Sequence, residues 1–363
     1  MTGHGLILGG ESGQCDTGLL SKFSSPLPQP SPLGRGRRGY TQKIRPVIVA
    51  ALALCSYGSL ARASEHPKQP RLSGDWWQIA GDPDLGEITT TKQQPVDFAI
   101  WRAADGKWQL WSCIRGTKEV GNTRLFYRWE GQNLTGTNWS PAGIVMRAES
   151  RCGEKPGGLQ APYVFRDAER FIMFYGGWDH ICSAASSNGK HFQRETDNQG
   201  KVTLFGEETG NTRDPMVIRI GDRWHCYYTA HPQNKGADYC RMSRDLRKWS
   251  DSRIVAQGGR AGNGPYSAEC PFVVELEPGQ FYLFRTQHYG QNAETSVYFS
   301  RDPFDFGVNN DAGHFVCTLP VAAPELIHEN KDWYIAALLR SLKGIQICRL
   351  VWDDHQDSPE KKL

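Results

Sequence analysis

The stretch S-S-N-G-K-H-F (Ser186–Phe192) returns as S-R-D-L-R-K-W (Ser243–Trp249) and again as S-R-D-P-F-D-F (Ser300–Phe306). Each copy opens with serine, places Asn or Asp two residues on and ends in an aromatic ring, and successive copies begin 57 residues apart both times. Serine and an Asx residue at that spacing mark a turn. A turn that recurs at a fixed interval signals units that bury their apolar faces on one another.

A second landmark lies upstream of those turns, where an apolar strand, a polar turn and an aromatic-led strand follow one another. The five cases are D-F-A-I-W…K-W-Q-L-W from Asp97, P-Y-V-F…R-F-I-M-F-Y from Pro162, P-M-V-I…R-W-H-C-Y-Y from Pro215, P-F-V-V…Q-F-Y-L-F from Pro271 and P-E-L-I…D-W-Y-I-A from Pro324. Trp108, Phe171, Trp224, Phe281 and Trp333 head the second strands, at intervals of 63, 53, 57 and 52. Helical periodicity is nearly absent, and short β-branched and aromatic runs alternate with Gly, Asn and Asp turns. The chain is therefore read as all-β, a five-bladed β-propeller, in preference to a β-sandwich followed by a second domain, which has no need of a fivefold repeat. The last blade is expected to end its third strand near Trp352, and Leu72–Ala80, with Trp76 and Trp77, to close the ring as an outer strand, because an unpaired edge is a liability.

Residues 1–63 read differently. Lys43 and Arg45 precede an apolar run, Val47–Leu60, that ends in Ala61-Arg62-Ala63, the order of a secretory signal, and the run is too short to remain in a membrane. The expectation is a leader over 1–63 and one catalytic propeller over 64–363, exported to the periplasm or the cell exterior, with no stable membrane insertion after cleavage. Removing the leader takes seven basic and two acidic residues, so the formal charge of +3 becomes −2 and the case for a nucleic-acid partner disappears. Of ten cysteines eight remain, none in a C-x-x-C pair. Buried thiols are the expectation, with Cys226 and Cys240 the first pair to check for a disulfide. Oligomeric state is not legible.

Two strand entrances carry acids: T-R-D-P-M-V (Thr212–Val217) and A-E-C-P-F-V (Ala268–Val273). Asp97, Asp214 and Glu269 fall at the starts of innermost strands in blades 1, 3 and 4, with Ala161 and Ala323 at the matching places of blades 2 and 5. Asp before Pro is a common turn pair, but inner strands converge on one axis, so three acids in phase face each other across a central pocket. Like charges crowded in a partly dry pocket retain a proton near neutrality, the condition for cleaving a glycosidic bond: one carboxyl gives a proton to the departing oxygen, another attacks or activates water.

R-D-P at Arg213–Pro215 and E-C-P at Glu269–Pro271 resemble two motifs of the invertase and fructanase group of glycoside hydrolases, and the five-bladed plan with three acids resembles the arabinanase and β-xylosidase group. The resemblance implies that Asp214 orients substrate hydroxyls, that Glu269 is the acid or acid/base, and that Asp97 is the nucleophile or general base. Asp97 is placed by phase alone, since Q-P-V-D-F-A-I-W lacks the N-D-P-N-G-like motif of invertases. Fructoside and pentoside both stay open.

The mouth loops offer Arg115, Trp178 with Asp179 and His180, His231, His288 with Tyr289, and Arg340. Together with Arg213 they are candidates to bind a carbohydrate, aromatic faces on sugar C–H surfaces and Arg or His on hydroxyls. No metal site and no cofactor is expected. The leading reading is an exported glycoside hydrolase; the alternatives are a glycoside phosphorylase, which needs basic groups such as Arg115, Arg213 and Arg340 for phosphate, and a non-catalytic carbohydrate-binding propeller.

Overall fold

Five antiparallel sheets radiate from one axis in the computed structural model, which describes residues 66–207 and 210–354. The leader expected over residues 1–63 lies outside the described residues. From the axis outward, blade 1 is Gln94–Arg102, Trp108–Arg115, Leu125–Gly131 and Ser140–Met146, and blade 2 is Gln160–Asp167, Arg170–Gly176, Ile181–Ser186 and Thr203–Phe205, with Gln193–Arg194 also on its third strand. Blade 3 is Arg213–Ile220, Arg223–Ala230, Ala237–Ser243 and Arg253–Gln257; blade 4 is Glu269–Glu277, Gln280–His288, Glu294–Ser300 and Phe315–Leu319. Blade 5 takes Glu325–Glu329, Asp332–Leu338 and Gly344–Asp353 from the C-terminal part and its outer strand, Gln69–Gly81, from the start of the described chain. That strand pairs antiparallel from Gln69 opposite Asp353 to Gly81 opposite Gly344, so the ring is closed as expected and the last blade's edge is covered. Helix among the described residues is confined to three-residue 3-10 turns, none of them long and apolar enough to cross a membrane.

The repeated turns show why their period is fixed. In the first, Ser186 Oγ accepts the Gly189 amide at 2.8 Å and Asn188 Oδ1 accepts the Lys190 amide at 2.8 Å. In the second, Asp245 Oδ1 accepts the amides of Arg247 and Lys248, and in the third Asp302 Oδ1 accepts that of Phe304. The ring at each turn's end reaches back into the preceding blade. Phe192 meets Trp101 and Trp111 of blade 1 edge-on, Trp249 meets Phe174 and Phe205 of blade 2, and Phe306 meets Tyr227 of blade 3. Each turn thus supplies the wedge that fills one interface between blades, which couples turn spacing to blade spacing. Between blades 4 and 5 the wedge is Trp352, packed on Tyr282 and Trp333. Trp77 of the closing strand meets Tyr334 and donates from Nε1 to the Leu134 carbonyl of blade 1.

All eight cysteines among the described residues are free thiols. Cys226 and Cys240 do lie on neighbouring strands, but Cys226 sits opposite Arg241 while Tyr227 sits opposite Cys240. Consecutive residues of a strand face opposite ways, so the two sulfurs belong to the cores on opposite faces of blade 3.

Candidate active site

Every blade carries, at or close to the start of its inner strand, one residue in left-handed backbone: Asp97 (φ 38), Ala161 (φ 41), Asp214 (φ 55), Cys270 (φ 49) and Ala323 (φ 48). Non-glycine residues adopt this region at a cost of about 1–3 kcal/mol and persist in it where surrounding structure over-determines them. Here the ladder slips at the same point in blades 1 to 4, between Val96 and Phe98, Gln160 and Tyr163, Arg213 and Met216, and Glu269 and Phe272. The kink turns five side chains toward the axis, and all five line a cavity of about 20 Å³ together with Glu325. That volume holds about one water molecule. A cavity of that size is too small to hold a molecule much larger than water.

This backbone ring corrects the expected phase of one acid. Asp97 and Asp214 occupy equivalent places, but the equivalent in blade 4 is Cys270, and Glu269 stands one residue earlier, in the place held by Arg213 in blade 3. The acid is outside the ring that lines the axial cavity and instead takes the Arg213 Nη2 donor on its Oε1. The three acids are nonetheless brought together. Cys270 Sγ donates to Asp97 Oδ1 at 3.4 Å and the Cys270 amide donates to Asp214 Oδ2 at 3.2 Å. Arg213 Nε lies 3.6 Å from Asp214 Oδ2.

Burial pushes all three carboxyls up. For Asp214 the result is about 6, with Arg213 pulling down and Asp97 pushing up. Asp97 is raised by burial, opposed by Arg124, and raised again by Glu269, with Arg115 also pulling it down. Glu269 is raised by burial against Arg213, with Asp214 adding to the rise. Negative charge crowded in this way favours retention of a proton near neutrality. Asp214 Oδ1 is buried without a hydrogen-bond partner and so retains an unused acceptor beside the axial cavity.

The candidate binding residues divide. Arg213 is buried, its charge shared between Asp214 and Glu269, and its Nη1 donates to His231 Nδ1 at 3.2 Å. Arg115 Nε donates to Gln94 Oε1 at 2.9 Å, and its charge reaches Asp97 and Glu269. The Tyr289 hydroxyl lies 3.2 Å from Cys270 Sγ. Trp178 is a bulky residue at φ 90, a backbone outlier, with the Arg124 guanidinium 5.2 Å from its ring centroid. Arg213, Arg115 and Tyr289 lie beside the acids, whereas Trp178 reaches them only through Arg124, whose charge acts on Asp97. His180 and His288 do not touch them: the first lies 3.4 Å from the Gly153 carbonyl, and the second is exposed, 3.0 Å from the Gln287 carbonyl. Asp179 pairs with Lys155, and Arg340 is exposed.

Three charged residues escaped the sequence reading. Arg124 lies over the Trp178 ring, its charge acts on Asp97, and it forms no ion pair among the described residues. Its signal, a cation in a blade 1 mouth loop, is common to many solvated arginines. Glu325 lies in the axial cavity, where burial and the Asp97 charge hold its carboxyl well above the usual range. Asp238, on the third strand of blade 3, is fully buried with both carboxylate oxygens unpartnered. Burial raises it to about 7, against the pull of Arg285. No group of three or more His, Cys, Asp or Glu among the described residues is arranged to hold a metal ion.

Residues 107–362 match the glycosyl hydrolases family 32 N-terminal domain. A probable sucrose-6-phosphate hydrolase of Psychromonas ingrahamii is 26% identical over 195 residues, which are 46% of this chain and 34% of that protein. The match thus spans about a third of that relative's length. Among solved structures, a thermostable family-43 glycoside hydrolase superposes with a TM-score of 0.54 at 17% identity, over 77% of this chain and 98% of that one. The endo-arabinase of Bacteroides thetaiotaomicron gives 0.54 at 10% identity, over 76% and 99%. The family 32 β-fructofuranosidase of Bombyx mori gives 0.52 at 14% identity, over 76% and 62%. At such identities the structural likeness speaks to the fold alone.

Proposed function

The chain belongs to glycosyl hydrolase family 32, whose N-terminal domain it matches over residues 107–362, and from that premise we propose that it hydrolyses a glycosidic bond of an oligo- or polysaccharide, a furanoside or a pentoside, with Asp97, Asp214 and Glu269. Glu269, protonated, gives its proton to the glycosidic oxygen as the bond to the anomeric carbon breaks and the leaving group departs as an alcohol. Asp97, as a carboxylate, either attacks that carbon or takes a proton from the attacking water. Asp214 accepts hydroxyls of the bound sugar on its free Oδ1, and its charge opposes the positive charge that builds on the ring.

The observation that carries this reading is the gathering of three carboxyls at neighbouring strand entrances, each pushed up by burial, with a single buried guanidinium between two of them. A purely structural cluster gains nothing from that crowding, whereas an acid catalyst needs a carboxyl that keeps its proton. Incubation of the full chain with a panel of defined furanosides and pentosides tests it: release of reducing sugar from at least one is expected, and inertness toward all contradicts it. Phosphorolysis is the second reading, favoured by Arg115 and Arg124, which lack carboxylate partners among the described residues; turnover that requires inorganic phosphate selects it.

The reading includes export by the leader at residues 1–63, supported by its basic, apolar and A-x-A order. N-terminal sequencing of the processed protein is expected to begin just after Ala63.

A further inference from the structure

Large apolar side chains on the described surface are few, and one of them, Tyr266, is 64% exposed although the next two residues, Ser267 and Ala268, are buried. It stands three residues before Glu269 on the loop that joins blade 3 to blade 4. That loop is pinned on both sides of the ring. The Gly236 amide donates to the Gly264 carbonyl at 3.0 Å, and Ser267 donates to the same carbonyl from both its amide and its hydroxyl, at 3.2 and 2.8 Å. A tyrosine held out from an anchored loop loses little freedom when something stacks on it.

Its neighbours tie it to the acid. The Tyr266 ring meets the His231 ring edge to face, centroids 5.8 Å apart at 80°. His231 also hydrogen-bonds the Pro265 backbone, and its Nδ1 accepts the Arg213 donor. Burial and the Arg213 charge hold the imidazole below its usual range, so it is neutral, as an acceptor from a guanidinium must be. Arg213 in turn donates to Glu269. One chain of contacts, Glu269–Arg213–His231–Tyr266, therefore fixes the exposed ring relative to the carboxyl that gives up the proton.

We infer that Tyr266 is the platform for the leaving group, stacking its face against the sugar whose glycosidic oxygen Glu269 protonates. This rests on the hydrolase reading and deepens it. The oxygen that Glu269 protonates belongs to the departing alcohol, so a ring tied to Glu269 serves that side of the scissile bond. An amphipathic aromatic face suits the C–H surface of a sugar and offers little to a small alcohol. The preferred substrates are then glycosides whose leaving group is itself a sugar.

The test compares kcat/KM of the full chain on two matched pairs: sucrose with methyl β-D-fructofuranoside, and xylobiose with methyl β-D-xylopyranoside. On whichever pair is cleaved, the wild type should favour the disaccharide, Tyr266→Ala should lower the ratio of disaccharide to methyl glycoside about tenfold through KM, and Tyr266→Phe should restore it. An exposed loop side chain is unlike a core residue, so both variants are expected to fold, and circular dichroism checks that they do. An active wild type whose ratio is unmoved by Tyr266→Ala overturns the platform and leaves the hydrolase reading standing. A wild type inert on both pairs and on the wider glycan panel overturns both together.

Discussion

Arg213, at the entrance of blade 3, donates to the carboxylate of Glu269, at the entrance of blade 4, and so links two strand starts that are 56 residues apart in the chain. The same guanidinium lies beside Asp214. A buried charge with two buried partners stabilises little relative to an apolar core, but taking it away leaves two carboxyls uncompensated.

Replacing Arg213 with alanine is accordingly expected to destabilise the fold by about 3–5 kcal/mol, read by urea unfolding near neutral pH. Arg213 pulls the Glu269 carboxyl down, so its loss raises that group further. In Arg213→Gln, which removes the charge and keeps a hydrogen-bond donor, the alkaline limb of the pH–rate profile should move to higher pH. A limb that moves to lower pH contradicts the electrostatic account.

Stability should fall as pH rises through neutrality. Asp214 is held up to about 6 and Asp238 to about 7, and burial raises Asp97, Glu269 and Glu325 as well. Above about pH 4 the unfolded chain has released these protons while the folded protein keeps them. Their contribution to stability is complete below that point and is lost as pH climbs through 6 and 7. Unfolding free energy measured between pH 5 and 8 should decline, and Asp238→Asn should flatten the decline by on the order of 3 kcal/mol. A profile that rises across this interval would show that these carboxyls are ionised without cost.

Phe306 is fully buried at the end of the third repeated turn, against Tyr227 of the neighbouring blade. Phe306→Ala should cost about 3–5 kcal/mol in chemical denaturation, as expected for an aromatic removed from a close-packed core. A loss below about 1 kcal/mol would mean that the ring does not wedge the interface.

The turns were legible because their chemistry is local. Serine and Asx bond amides within four residues, the ring that follows has nowhere to go but the next interface, and both recur at 57 residues. The closing strand was legible for a related reason: Trp76 and Trp77 ahead of a chain short of one edge strand had one place to pair. What stayed hidden depends on backbone shape or on distant partners. Whether Glu269 or Cys270 occupies the left-handed kink is a property of the strand, and a proline two or one residues later fits either choice. Asp238 is a single acid inside a strand, without a repeat to mark it, while Glu325 is an acid at the repeat position that holds Tyr163, Met216 and Phe272 in blades 2 to 4, and its place in the axial cavity follows from the closing of the ring. Arg124 has its partner on another blade, in Trp178. His180 and His288 were drawn in by residue type, since a loop histidine reads alike whether it faces the axis or the solvent.

The most direct measurement is the turnover of Glu269→Gln beside Asp97→Asn on the best glycan of the panel, with unfolding followed in parallel. Both variants should retain or gain stability, because each relieves crowded charge, while kcat falls by about a hundredfold or more. Near-normal hydrolysis by either folded variant would show that the gathered acids are not the groups that break the bond.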